Sequence, residues 1–538
     1  MSASGHLDPR LLLLDGINPV DASAATVGLK AANLIRMARA GLPVPPGFVL
    51  TTQVCADYYE AGGRLDTELT ELITRAVGYI ERATGRSFGA QRHPLLVSAR
   101  SGAPVSMPGM LDTVLNIGLC DTTLPGLLRA TGDPVFVWDC YRRLISAYAE
   151  TVERCSPAPF AAVTDEALRR HRVPDASELD VAALRELVGH LTDTYQSTVG
   201  RPFPQDPAQQ LMRAVEAVLR SWNAERAVAY RRVQNLPDDG GTAVTVQAMV
   251  FGNMGATSGS GVGFTRDPAT GANELYLDYL RGRQGEDIVA GRHAAADPAQ
   301  LIAAVPGLAQ HLETVRHTLE NVFGDAQDFE FTVENGKLWL LQTRAAKRTP
   351  WAALQVACDL VDEQLIDPST ALDRLRPYDL DHITRTRLVT KPETTPIGRA
   401  TPASTGVATG RIALHPDTAR HHTEHSQPTI LVREEASTDD VAALAACRGL
   451  LTATGARTCH AAVVARQLGI VCLVNCAELH IDTQARRLRI GEHQLDEDDT
   501  ITIDGATGNI YTGALQIVED HPTDLIQRVG AWARGGTG

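Results

Sequence analysis

The chain has 538 residues, 44% hydrophobic and 21% charged, with 64 acidic against 50 basic side chains and a formal net charge of −14. That length exceeds one ordinary domain, and about three is the expectation. The composition is that of a globular enzyme, and the acidic balance argues against a nucleic-acid binder or a basic membrane-associated protein.

Nine cysteines are scattered with no C-x-x-C pair, so neither a disulfide framework nor a zinc site is suggested. Cys472 and Cys476 sit in apolar sequence and read as small core residues. Leu11 to Leu14 is too short an apolar run for a signal peptide, and no stretch approaches membrane-spanning length. The expected compartment is the cytoplasm, with no membrane partner.

Residues 27–52 read V-G-L-K-A-A-N-L-I-R-M-A-R-A-G-L-P-V-P-P-G-F-V-L-T-T. Leu29, Leu34 and Met37 make one helical face, Gly41 ends the helix, and the prolines permit only extended chain before Phe48. Lys30 at this helix start is, from the pattern alone, either a solvated lysine or an anion contact. In 94–113 a strand from Leu95 to Val97 runs into a loop of Gly, Ser and Pro, whose N–H groups and hydroxyls suit a polyphosphate. Arg100 at the strand end adds a fork of donors for phosphate oxygens.

From about 121 to 235 the pattern is helical. Trp138, Tyr141, Leu144 and Ile145 form an apolar face beside Arg142 and Arg143, which stay open between scaffold and phosphate contact. Val244, Val246 and Ala248 alternate as a strand, and the glycine cluster after them reads as a turn into a second strand.

Residues 328–344, D-F-E-F-T-V-E-N-G-K-L-W-L-L-Q-T-R, read as a hairpin. Asp328 and Glu330 fall on one face of its first strand, and Phe329, Phe331 and Val333 on the other. A two-residue Asn335-Gly336 turn would set Gln342 opposite Phe329. A three-residue loop, Glu334 to Gly336 with Gly336 left-handed, sets Gln342 opposite Asp328, pairs Phe331 with Trp339, and keeps both faces consistent. That longer loop is the expectation, and it gathers Asp328, Glu330, Gln342 and Arg344 on one face. Carboxylate and amide oxygens suit Mg²⁺ shared with nucleotide phosphates, while an edge hairpin with a polar outer face is the competing reading.

Residues 349 to about 378 are helical in pattern, and Thr394 to Ser404, with Pro396 and Pro402, has linker composition and is the expected hinge. A compact unit from about 397 to 515 follows. Within it, Gly449 to Gly469 reads as a strand, a short turn at Gly455, and a helix from Ala461 to Leu468 stopped by Gly469. Thr458 lies where an N-cap would, and His460 falls in the first helical turn, where free N–H groups favour an anion and keep imidazole neutral and nucleophilic.

The run T-x-H-A-A-V-V-A-R-x-L-G from Thr458 to Gly469 resembles the phosphohistidine motif of the pyruvate phosphate dikinase and phosphoenolpyruvate synthase family. Residues 27–52, S-x-R-S-G-A-x-x-S-M-P-G-M-x-D-T at 98–113, the segments 242–267 and 284–291, D-x-E-F-T with L-Q-T-R, and 503–511 are similar to the same family. The resemblance implies an α/β and α+β multidomain protein. Its parts are an ATP-grasp nucleotide-binding domain over 1–350 with a helical part at about 121–235, a helical linker over 351–396, a β/α phosphohistidine swivelling domain over 397–515, and a tail over 516–538. It implies that His460 is the phosphoryl carrier, with Thr458 beside it, and that Arg100 assists transfer. ATP is then the substrate, met by Lys30, Arg100, Asp328, Glu330, Gln342 and Arg344, with Glu330 and Gln342 as Mg²⁺ ligands. Departures from the family pattern are Ala256, Ala456, Arg457 and Cys459; Arg457 puts a cation beside the reactive ring, suited to a transferred phosphate or an anionic acceptor.

Full-length family members continue into a (β/α)₈ barrel, and residues 524–538 fall about where it would begin. The resemblance therefore implies a complete half-reaction with ATP and an acceptor half-reaction with no visible home in these residues. Three functions are carried: a dikinase-type phosphotransferase, a phosphohistidine carrier in a relay, and a regulatory nucleotide-binding module. The first is the expectation. Its product is AMP, its second phosphoryl goes to phosphate or water, and its acceptor is a small molecule, bound directly or on a separate acceptor-binding subunit; a homodimer is compatible with it.

Overall fold

The computed structural model describes residues 8–17, 22–105, 107, 110–234, 236–237, 240–284, 302–389, 394–435, 440–455, 457 and 460–535. The chain divides into two compact units, 1–255 with 339–342, and 256–338 with 343–538.

The first unit holds strands β1 (Leu11–Leu13), β2 (Gly47–Leu50), β3 (Val97–Gly102), β4 (Thr113–Ile117) and β5 (Ala243–Ala248). They form an antiparallel sheet in the order β1-β2-β5-β3-β4. β5 is central and buried at all six positions, so its alternating sequence does not mark one wet face. Helix α1 (Ala24–Arg39) is capped by Ser23 and followed by left-handed Gly41, as its composition predicts.

In the helical part, α2 (Pro134–Thr151) buries Tyr141, Leu144 and Ile145 in the main core, with Trp138 packed at its margin. Arg142 and Arg143 are both engaged by their own helix: Arg142 Nη2 donates to Asp139 Oδ1 at 2.7 Å and Arg143 Nε to Asp139 Oδ2 at 2.8 Å. Burial opposes charge on Asp139, but the two guanidiniums outweigh it and hold the carboxyl below its ordinary range.

The second unit contains the strands β6 (Gly259–Phe264), β7 (Tyr276–Arg281), β8 (Gln327–Glu334) and, apart from residues 339–342, β9 (Lys337–Ala345), in the order β9-β8-β6-β7. The glycine cluster after β5 leads, as the sequence predicts, through a turn at Gly252 and left-handed Gly255 into a second strand, and its later members at 259, 261 and 263 lie inside that strand, β6. A Cβ at Gly261 would sit 2.2 Å from the Phe331 ring, and one at Gly263 would sit 2.4 Å from the Phe329 ring. Glycine is needed there because aromatic rings from β8 lie across the strand.

After β9 come helices α3 (Pro350–Asp362) and α4 (Pro368–Leu375), then β10 (Arg385–Leu388). Next is an eight-stranded sheet built from β11 (Gly398–Arg399), β12 (Thr401–Ser404), β13 (Val407–Ala413), β14 (Thr429–Arg433), β15 (Gly449–Thr452), β16 (Val471–Val474), β17 (Thr500–Asp504) and β18 (Asn509–Thr512). Its order is β11-β18-β17-β13-β14-β15-β16-β12, with β13 to β16 parallel. Cores on both faces explain why β15 and β16 are buried throughout; one of them takes Ala461, Ala462 and Ala465 of helix α5 (His460–Gln467). Cys472 and Cys476 are buried core residues.

The expected hinge at Thr394 to Ser404 needs correction over its later part, from residue 398 onward. Residues 401–404 form β12, paired with β16, and Ala403 and Ser404 are buried. A segment laddered into a sheet cannot absorb a rotation. The chain instead enters through β10 and leaves through β19 (Ile517–Asp520), which pair antiparallel from Arg385↔Asp520 to Leu388↔Ile517. The last helix, α6 (Thr523–Gly535), packs Leu525, Ile526, Val529 and Trp532 against α3 and α4. Among the described residues, no helix is long and apolar enough to cross a membrane.

Candidate active site

In the first unit, two motifs meet through glycine. Gly28 breaks the helical geometry of α1 with φ 76°, and a Cβ there would lie 2.4 Å from the Gly102 backbone. Leu29 N–H donates to Ala103 O at 2.9 Å, while Gly102 N–H is held by Thr242 Oγ1 at 3.2 Å. Lys30, exposed, begins the regular helix two residues after Gly28. Arg100, half-buried, stands two residues before Gly102 on β3, paired with Thr245 and Thr113. The base of the following loop is closed by Ser101 N–H to Asp112 O at 3.3 Å, and Arg226 donates to Met110 O at 3.1 Å and to the Asp112 carboxylate. Ser106, Pro108 and Gly109 of the loop lie outside the described residues.

The β8–β9 hairpin reaches the expected face by an unexpected route. Its turn has two residues, Asn335 at φ 48° and Gly336 at φ 79°, the primed geometry that suits a twisted hairpin, and not the three-residue loop. The left-handed Gly336 was expected. The turn sets Glu334 against Lys337, but Ala346 N–H donates to Ala326 O at 2.9 Å, so β9 carries one extra residue. Its burial alternation accordingly slips between Leu340 and Thr343. This bulge returns Gln342 to the polar parity of Arg344. Arg344 Nε donates to Asp328 Oδ2 at 2.7 Å. Burial raises the Asp328 carboxyl above its ordinary range despite Arg344 beside it. Glu330 and Gln342 are half-buried on their strands. Among the described residues no three His, Cys, Asp or Glu side chains are grouped to hold a metal alone.

Register carries this face across the sheet. Asp328 pairs with Phe264, which pairs with Tyr276; Glu330 pairs with Val262, which pairs with Asp278. Residues directly opposite in a sheet share a face, so Tyr276 and Asp278 on β7 end the same two rows that carry Asp328 and Glu330, about 10 Å away.

The segment around His460 follows its sequence closely. β15 ends at Thr452, Gly455 turns at φ 119°, α5 begins at His460, and Gly469 stops it at φ 68°. The histidine thus stands at the carboxyl edge of a parallel strand and at a helix start, where α/β sheets bind ligands. Thr458 and the His460 side chain lie outside the described residues.

Arg457, three positions earlier, does not stand free for a phosphate as its sequence position suggested. Its Nε donates to Asp278 Oδ1 at 2.9 Å, its Nη2 to Leu277 O at 2.6 Å, and its guanidinium lies 4.2 Å from the Tyr276 ring centre. Arg466 is fully buried, donates to Arg457 O at 2.9 Å and Ala403 O at 2.7 Å, and sits 5.4 Å from the Phe264 ring. Sequence reasoning missed Tyr276 and Asp278. The available signal was an acidic residue inside the apolar run Y-L-D-Y-L.

Comparison with known proteins agrees in both halves. The family "Pyruvate phosphate dikinase, AMP/ATP-binding domain" matches residues 24–82 and 63–308, and "PEP-utilising enzyme, mobile domain" matches 425–508. Over 511 residues the chain is 42% identical to the pyruvate, phosphate dikinase of Clostridium symbiosum, covering 94% of this chain and 58% of that protein. The Rhizobium meliloti dikinase is 38% identical over 519 residues, again 94% of this chain and 58% of the relative. The chloroplastic dikinase 1 of Arabidopsis thaliana is 38% identical, with 53% of its length covered. The chain thus spans somewhat over half the length of these relatives. By these matches at both ends of the sequence, the chain belongs to the pyruvate, phosphate dikinase family.

Proposed function

We propose that the chain carries out dikinase-type phosphotransfer from ATP to His460. An imidazole nitrogen of His460 attacks the β-phosphorus; the new N–P bond forms as the bridge to the α-phosphorus breaks, and AMP leaves with the bridging oxygen. The γ-phosphoryl then passes to phosphate or water, and the phosphoryl left on His460 goes to a small-molecule acceptor, pyruvate-like by analogy with the relatives' names. Lys30 and Arg100 meet the nucleotide phosphates, and Asp328 and Arg344 serve the nucleotide site in what we read as an ATP-grasp arrangement.

Glu330 and Gln342 offer one carboxylate and one amide oxygen. That set is too sparse to cage Mg²⁺ alone but suits an ion shared with phosphates. When bound there, Mg²⁺ neutralises phosphate charge; orientation and water exclusion are the work of the side chains. The observation that carries the reading is internal to the second unit. The loop leading to His460 is seated on β7, at the end of the very rows that bear Asp328 and Glu330.

The test is incubation with ATP labelled at the β-phosphorus. Acid-labile, base-stable protein label with stoichiometric AMP is expected, and none on His460→Ala. Equal labelling of that variant, or ADP as the nucleotide product, overturns the proposal.

A further inference from the structure

Arg457 is the residue that the phosphotransfer reading leaves without a task, and the structure engages its side chain on β7. Among the described residues its side chain meets three consecutive residues of β7, across 179 positions of sequence: the ring of Tyr276, the carbonyl of Leu277 and the carboxylate of Asp278. β7 is the outer strand of its sheet, so the Leu277 carbonyl is an edge group that needs a donor. Asp278 is 1% exposed, and its Oδ2 has no hydrogen-bond partner among the described residues, so Arg457 is the cation that answers its charge. Leaving such a carboxylate buried and unpaired is costly, so the two groups favour the seated position together.

The side chain is coupled to the helix that carries the histidine. Arg466, on α5, donates to the Arg457 carbonyl, tying the loop to its own helix. His460 lies three residues from Arg457, at most about 11 Å along the chain. Fixing the guanidinium on β7 therefore restricts where α5 begins relative to Asp328 and Glu330. A methionine at this position could touch Tyr276 but could not pair with Asp278.

We propose that Arg457 is a positioning residue: its charge pair with Asp278 registers the histidine-bearing helix on the β6–β9 sheet for phosphoryl transfer. This rests on the phosphotransfer reading above. Arg457 touches neither nucleotide nor phosphoryl group. It acts on the fraction of time that His460 is seated, so its loss lowers the rate of transfer and not the affinity for ATP.

The experiment uses the full chain in single-turnover labelling over a range of ATP concentrations, with hydrogen exchange of segments 276–281 and 454–459 as a readout free of chemistry. Arg457→Met and Asp278→Asn are each expected to slow labelling about tenfold, the loss of one charge-assisted pair. Half-saturation by ATP should be unchanged and exchange in both segments faster. The double variant should be no slower than either single one, and the exchanged pair Arg457→Asp with Asp278→Arg should regain most of the rate. Wild-type rate and exchange in Arg457→Met, additive losses in the double variant, or a shift confined to ATP half-saturation overturns the proposal. Absence of label on His460 in the unaltered chain would instead sink the phosphotransfer reading, and the exchange measurement then decides the docking role alone.

Discussion

Two joints in this protein bring distant motifs together, and they are made of different material. Gly28 meets Gly102 backbone against backbone, with a hydrogen bond from Leu29 to Ala103 and no side chain between them. Arg457 meets Tyr276, Leu277 and Asp278 through one long side chain. A backbone joint of two close-packed glycines has no side chain to swing aside, so it opens only if α1 itself moves off the end of β3. A side-chain joint opens when one ion pair is exchanged for water. Under the proposed function, the first suits residues that hold a nucleotide in fixed geometry, and the second suits a carrier that arrives and leaves.

That contrast is broken most severely at Gly28. Gly28→Ala places a Cβ against the Gly102 carbonyl at a positive φ, which is expected to cost about 3 kcal/mol of stability. Misplacing Lys30 relative to Arg100 should also slow His460 labelling by more than about a hundredfold. Thermal unfolding and labelling together check this, and an unshifted melting curve would show that the joint is not rigid. Glu330→Ala sharpens the same comparison from the opposite side. Labelling should be lost while stability changes by less than about 0.5 kcal/mol, because the side chain is half-buried on a polar face. A large fall in stability would reassign Glu330 to the scaffold.

The smallest expected effect lies in the helical part, away from both joints. The Asp139 carboxyl is depressed in the folded state by Arg142 and Arg143 against the cost of burial. Its contribution is therefore present at neutral pH and lost as pH falls from about 4 through the depressed value. Asp139→Asn should destabilise by about 1 kcal/mol at pH 7, since both arginines reach water and can rehydrate. The gap to the unaltered chain should close in acid; a gap independent of pH in denaturant titrations would overturn the assignment.

Much of the site was legible because it is local. The strand, turn and helix around His460, the Gly41 and Gly469 stops, and the left-handed Gly336 follow from residue types within a few positions of one another. The hairpin shows where such reasoning ends. Face consistency correctly demanded that Gln342 share the parity of Arg344, but a loop and a bulge satisfy that demand equally well, and the ladder uses a two-residue turn with an inserted residue in β9. Likewise nothing local explains the alternate glycines inside β6, because the Phe329 and Phe331 rings that require them lie more than sixty residues away.

By itself, then, the sequence determined the nature of the candidate groups and the local shape around each: a histidine at a helix start, carboxylates on one strand face, a lysine and an arginine beside glycine-rich turns. Tertiary structure alone decided their company. Arg457 reads as a spare cation in one dimension and becomes a partner of Asp278 only when the eight-stranded body is seated on β7. The supposed linker at 401–404 becomes β12 only when β16 is beside it. The physical reason is the same in both cases. Propensity, capping and turn chemistry act over a few residues, whereas charge pairing and strand pairing depend on what the fold brings across the gap.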